Sequence, residues 1–246
     1  MKDVDLKYND ALLLSKKPRE PLLNVPFIII VLISFCFLIY LIPQYFFSNQ
    51  LYSKSFMLFS FIPALFKVEP LVFCYTVISY SFMHGDFEHI AINMIWLLAF
   101  GSPLVKRFGN LCFLLFWMLT AVISALTYFA FHQDSTVPLV GASGAISGMM
   151  GAAARYGFSS APFDSNMQSG RFLGSLWSIR EALSSRTVLV YIGVWLMVNF
   201  ITGIFPSLSG RDDISIAWEA HIGGLISGFL LIGIFDFLWR NSKITI

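Results

Sequence analysis

Residues 139–156 read LVGASGAISGMMGAAARY, and this stretch decides the architecture. From Ser143 to Tyr156 there are 14 residues of small and apolar character. At 1.5 Å per residue they make about 21 Å of helix. The hydrocarbon core of a bilayer is about 30 Å thick, so a helix of this length placed in a membrane must begin below its surface. Irregular backbone at that depth survives only inside protein or against water. Gly141 and Gly144 suit so sharp a turn, because glycine accepts backbone angles and close contacts that a Cβ forbids. Ser143 would then stand at a helix N-terminus, where free N–H groups and the dipole favour developing negative charge.

The rest of the chain supplies the membrane. Of 246 residues, 57% are hydrophobic and 12% charged, with 26 phenylalanines. Soluble domains carry about 25% charged residues, and here the apolar residues come in blocks of span length. Working outward, spans are predicted at Val25–Phe46, Phe87–Val105, Leu111–Phe131, Ser143–Tyr156, Val188–Phe205 and Ala217–Trp239. The expected fold is an all-α membrane protein of six transmembrane helices. Residues 1–24 and 241–246 are expected to be cytoplasmic tails, with a short surface helix near Ala11–Ser15, and residues 25–240 the single domain. No cleavable signal peptide is expected, since the first 24 residues are polar and the apolar run after them is too long.

With the N-terminus in the cytoplasm, 13 of the 16 lysines and arginines fall on the inner side, in keeping with the positive-inside rule. Only Lys54, Lys67 and Arg211 fall outside. The segment from Phe47 to Asp86 reads as mixed, with interfacial stretches at Phe59–Phe66 and Leu71–Phe82. The Ser-, Gly- and Pro-rich segment Gly157–Arg186 reads as a cytoplasmic loop. A net charge of +2 gives no reason to expect nucleic acid as a partner. Cys36, Cys74 and Cys112 fit neither a disulfide framework nor a metal site. No metal and no cofactor are expected.

Polar residues inside spans cost free energy and mark function. His89 and Asn93 lie four residues apart in HIAIN and share one helix face. His221 sits one turn inside the last span, in AHIGGLISG. Gly144, Gly148, Gly151 and Ala152 form a small-residue face on the fourth helix, and Gly224 and Gly228 one on the sixth. Such faces let helices approach closely. Contact between them would bring His221 to Ser143 as its general base. His89, Asn93 and the Ser143 amide would then be able to donate to an oxyanion. Each feature alone has a packing explanation, and only their conjunction in one layer points to catalysis.

At HGDFEHIAIN (His84–Asn93), GASG (Gly141–Gly144) and AHIGGLISG (Ala220–Gly228), the sequence resembles the rhomboid family of intramembrane serine proteases. The motifs fall in family order on spans two, four and six, and the resemblance runs from about Val25 to Trp239. It implies a six-helix bundle with a water-filled cavity open to the outer face. It also implies a Ser143–His221 dyad without an acidic third member, and an oxyanion site of His89, Asn93 and the Ser143 amide. No Asp or Glu is expected in the layer of the pair, so packing is expected to orient His221. His84 also matches a family position and is expected to support the loop-to-helix junction. Ser147 stands where some members stack an aromatic ring on the histidine, and residues 47–86 lack the Trp-Arg pair that some carry.

The expected activity is cleavage of single-span or multi-span membrane proteins near the outer face, with the lipid bilayer as medium. The compartment implied is a bacterial plasma membrane. Two other readings are a catalytically inactive relative acting as a membrane chaperone, and a small transporter. The first is disfavoured by the presence of both serine and histidine, and the second by the lack of matching broken helices in two halves.

Overall fold

The computed structural model describes residues 24–157, 174–204 and 217–242. The tail helix near Ala11–Ser15 lies outside these residues. Helix α1 spans Phe27–Phe46, α2 Asn49–Phe59 and α3 Pro63–Val68. Helix α4 spans Phe87–Phe108 with a π turn at Leu97–Gly101. Helix α5 is Asn110–Phe131, α6 Ser143–Arg155, α7 Ile179–Ser184, α8 Arg186–Ile204 and α9 Trp218–Ser242. Among the described residues no strand forms, only an isolated antiparallel bridge between Phe61 and Leu139.

Five of these helices, α1, α4, α5, α8 and α9, are long and apolar enough to cross a bilayer. Helix α6, with 13 residues, is the short sixth. The chain is a multi-pass integral membrane protein built as a helical bundle. Exposed Phe, Leu, Ile and Val side chains on α1 and α8 fit a lipid-facing surface, since no hydrophobic force drives them inward in lipid.

Helix α6 is the axis of the bundle. Every residue from Gly144 to Arg155 is buried, which its alanines and glycines allow by admitting neighbours at backbone distance. Helices α9 and α5 pack most closely on it. Their core includes Phe113, Phe116, Trp117, Met149 and Ile232, all fully buried. Helix α8 is the opposite case: Val188 is its one buried residue.

Residues 47–86 are more regular than their sequence indicates. Ser48 caps α2 by accepting from the Leu51 N–H at 3.3 Å, and Pro63 starts α3. Short turns follow at Pro70–Phe73, Thr76–Ser79 and Tyr80–Phe82. The segment is tied to the 132–142 connection by the Phe61–Leu139 bridge and by the Ala64 N–H donating to the Ser135 carbonyl at 3.0 Å. Helix α7 also interrupts the loop expected at 157–186. A capping box starts it, with Ser178 and Glu181 each accepting from the other's backbone N–H. The Ser178 N–H first, and the Ser178 hydroxyl second, hold the exposed Glu181 carboxyl below the usual carboxylate range.

Candidate active site

The backbone places Ser143 first. Gly141 has φ +117°, a conformation that side chains disfavour, and its N–H donates to the Tyr80 carbonyl at 3.0 Å. The chain then turns directly into α6, so Ser143 is its first residue. The first N–H groups of a helix have no acceptor within it, and that of Ser143 is among them. Depth follows from the neighbouring helix. A Cβ on Gly144 would meet Ser124 of α5, and Ser124 lies seven residues before the end of that helix. At 1.5 Å per residue, Ser143 is set roughly 10 Å below the end of α5.

Glycines bring α9 to this serine. A Cβ on Gly224 would fall on the carbonyl of Gly144, and one on Gly228 would fall on the carbonyl of Gly148. Gly151 meets the backbone of Leu225 in the same way. The two helices touch backbone to backbone over two turns, and no larger residue fits at these positions. One turn above Gly224, His221 Nε2 lies 2.7 Å from Ser143 Oγ. Both side chains are half-buried.

The other imidazole nitrogen has a partner that the sequence reading missed. His221 Nδ1 lies 2.6 Å from Asn199 Oδ1 on α8. Trp195, one turn earlier on the same face, tilts its ring against the imidazole with centroids 6.3 Å apart. The expectation that packing alone orients His221 is therefore corrected. The signal was present, because Asn199 is a polar residue within an apolar span. Ser147 takes no part, as its hydroxyl donates to the Ser143 carbonyl at 2.7 Å. An acid does come close along the axis: Glu219 is two residues from His221, about 3 Å of rise. Its carboxylate instead meets Nε2 of His132, the residue just after α5, at 2.9 Å.

His89 and Asn93 share the α4 face beside Gly141. A Cβ at Gly141 would stand 2.7 Å from His89 Nε2 and 3.5 Å from Asn93 Nδ2. Asp86 caps this helix, accepting from the His89 N–H at 2.8 Å. Asn93 is 4% exposed, and its Nδ2 has no hydrogen-bond partner. A buried amide donor without an acceptor costs free energy, which suits a group that meets its acceptor only during reaction. His84 is buried with its ring edge-on to that of His89, centroids 5.1 Å apart, so it lies behind the pair.

The opposite end carries a separate polar cluster. Asp236 Oδ1 accepts from Arg107 Nε at 2.9 Å and Nη2 at 2.6 Å, and from the Tyr156 hydroxyl at 3.0 Å. Its Oδ2 meets Arg240 at 2.7 Å. Arg155 donates to the carbonyls of Trp177 and Phe229. Arg107 and Arg155 are thus buried cations with partners.

The Rhomboid domain profile matches residues 73–236. The chain is 27% identical over 219 residues to "Rhomboid protease GlpG" of Haemophilus influenzae, covering 88% of this chain and 94% of that protein. It is 26% identical over 158 residues to "RHOMBOID-like protein 5" of Arabidopsis thaliana, covering 63% of this chain and 42% of that protein. It is 29% identical over 147 residues to "Rhomboid protease GluP" of Bacillus subtilis, covering 60% and 23%. The chain therefore spans well under two thirds of the plant and Bacillus relatives.

Proposed function

The chain belongs to the rhomboid family, and from that premise we propose that it is an intramembrane serine endopeptidase whose reacting groups are Ser143 and His221. The observation that carries this reading is the 2.7 Å contact between Ser143 Oγ and His221 Nε2 at the N-terminus of a buried, short helix. A hydroxyl becomes a nucleophile when an adjacent base takes its proton as it attacks.

In the reaction, Ser143 Oγ bonds to the carbonyl carbon of the scissile peptide while its proton passes to His221 Nε2. The carbonyl oxygen becomes an oxyanion, held by the Ser143 amide, His89 and Asn93. The imidazolium returns its proton to the leaving amine as the C–N bond breaks. Water, activated by the same imidazole, then releases the acyl group. His84 supports His89 from behind and has no chemical step.

The substrates are transmembrane segments of single-span or multi-span proteins, approaching from the lipid beside α8. A helix must unwind to offer a carbonyl, so small and helix-breaking residues near the cut favour cleavage. The depth of Ser143, roughly 10 Å below the end of α5, sets the cut near one membrane face. We assign that face to the outside of a bacterial plasma membrane and both termini to the cytoplasm, because the basic residues Lys106, Arg180, Arg186 and Arg240 cluster at the other end.

The test is cleavage of a single-span substrate by purified protein in proteoliposomes, beside Ser143→Ala and His221→Ala. Both variants should lose cleavage, and a fluorophosphonate should label only a protein that retains Ser143. Cleavage by Ser143→Ala at the wild-type rate would overturn the assignment.

A further inference from the structure

We infer that Asn199 is the third member of the catalytic group, a positioning residue that fixes the tautomer and orientation of His221 from the peripheral helix α8. This deepens the serine-protease reading and rests on it.

The argument begins with a polar side chain in an apolar helix. Around Asn199, the residues Val194, Met197, Val198 and Ile201 are exposed on the lipid side. Tyr191, Ile192, Trp195 and Asn199 recur at helical spacing and form the partly covered inner stripe. An amide on that stripe needs partners for both of its ends, since lipid offers none. Its two ends are distinct. Nδ2 donates to the Trp195 carbonyl one turn back at 2.8 Å, and Oδ1 faces His221 Nδ1 at 2.6 Å. The reversed amide would set its oxygen against the Trp195 carbonyl oxygen, two acceptors with no proton between them.

The direction of the amide dictates the protonation of the ring. An amide oxygen only accepts, so His221 Nδ1 must carry the proton. In a neutral imidazole the other nitrogen is then bare, and Nε2 is left to accept from Ser143 Oγ–H at 2.7 Å. That is the state a general base needs. The opposite tautomer would put N–H against the serine and leave no base. In the Ser-His-Asp template a carboxylate performs this tautomer selection, and here a neutral amide does so. The imidazolium formed during attack keeps its Nδ1–H bond to the same oxygen, so the charged state is held in place too.

Asn199→Leu keeps approximate volume and removes the acceptor, whereas Asn199→Asp keeps an acceptor at the same reach. Leaving a buried ring N–H unpaired corresponds to a loss of roughly five- to 150-fold. We expect Asn199→Leu to lower kcat by that factor per fluorophosphonate-labelled site, with KM near wild type, and Asn199→Asp to recover most of the loss. The second readout does not depend on turnover. The chain has four histidines, so ¹⁵N-histidine spectra, assigned with His221→Ala, report the His221 tautomer directly. Wild type should show Nδ1–H, and Asn199→Leu should lose that preference. An Nε2–H ring in wild type overturns the inference, as does Asn199→Leu with unchanged kcat. A wild type that cleaves nothing, or no better than Ser143→Ala, refutes the protease reading, while the ring tautomer still decides the role of Asn199.

Discussion

Replacing Gly228 by alanine adds one carbon where the structure has no room for it. An ideal Cβ there stands 2.5 Å from Gly148 Cα, with the Gly148 carbonyl nearer still. Carbon atoms rest at about 3.5–4.0 Å from one another, so α9 must retreat from α6 by roughly 1 Å. The obstacle is backbone, and no rotamer change relieves it. His221 rides on the same helix two turns above. A retreat of about 1 Å carries Nε2 from 2.7 Å to roughly 3.7 Å from Ser143 Oγ, outside hydrogen-bonding range. Positioned general bases contribute roughly 10²–10⁴ in rate, so kcat should fall by at least about a hundredfold. Overpacking of this kind costs about 1–3 kcal/mol, which lowers Tm by roughly 2–12 °C in a chain of this size. The control is Gly233→Ala on the same helix, where the nearest atom is Leu176 Cδ2 at 4.0 Å. It should match or exceed wild-type stability, since alanine favours a helix by about 0.8–1 kcal/mol over glycine. Cleavage in proteoliposomes and thermal unfolding in detergent measure both effects. Wild-type turnover and Tm in Gly228→Ala would refute the claim that backbone contact between α6 and α9 sets the geometry of the pair.

Further outcomes are expected elsewhere. Asn93→Ala should lower kcat by roughly 10²–10³ with little change in KM, as loss of an oxyanion donor does, measured by steady-state cleavage. Gly141→Ala should abolish activity, because its φ of +117° resists a side chain and its Cβ would stand 2.7 Å from His89 Nε2; fluorophosphonate labelling would report this. Asp236→Ala should cost about 3–5 kcal/mol by stranding the buried Arg107, seen as a lowered Tm, with kcat preserved at temperatures well below it.

Much of the fold was legible because a bilayer enforces simple rules. Runs of span length in lipid must be helices, and the predicted spans differ from the observed helices by three residues or fewer at most ends. The short α6 was legible from length alone, and its glycine face from spacing. What stayed hidden depended on pairing across helices. Asn199 is the one amide side chain in VNFITG, and nothing local says which helix it meets. Asp236 stands among apolar residues in GIFDFLW, yet Arg107, Tyr156 and Arg240 converge on it from positions up to 129 residues away. Helices α2 and α3 were read as a mixed segment because their apolar side chains are too few for a span and show no long stripe. The six-span architecture could be read from each helix separately, whereas these partners could not.

The distribution of tight and loose contacts has a functional logic. At one end, α4, α6 and α9 are locked by the Asp236 cluster, with Arg107 also lying 4.6 Å from the Tyr156 ring centroid. Through the middle, α6 and α9 are joined at backbone distance by glycines. These two features hold Ser143 and His221 on the most closely packed pair of helices among the described residues. The third group, Asn199, comes instead from α8, whose buried surface is the least of the long helices. The contact between Ser143 and His221 therefore does not involve α8, whereas the bond that holds His221 Nδ1 does. Displacing α8 to admit a substrate would lengthen a 2.6 Å bond without disturbing the 2.7 Å one. In the proposed mechanism, the proton placement on His221 thus depends on the long helix beside which substrate is proposed to enter.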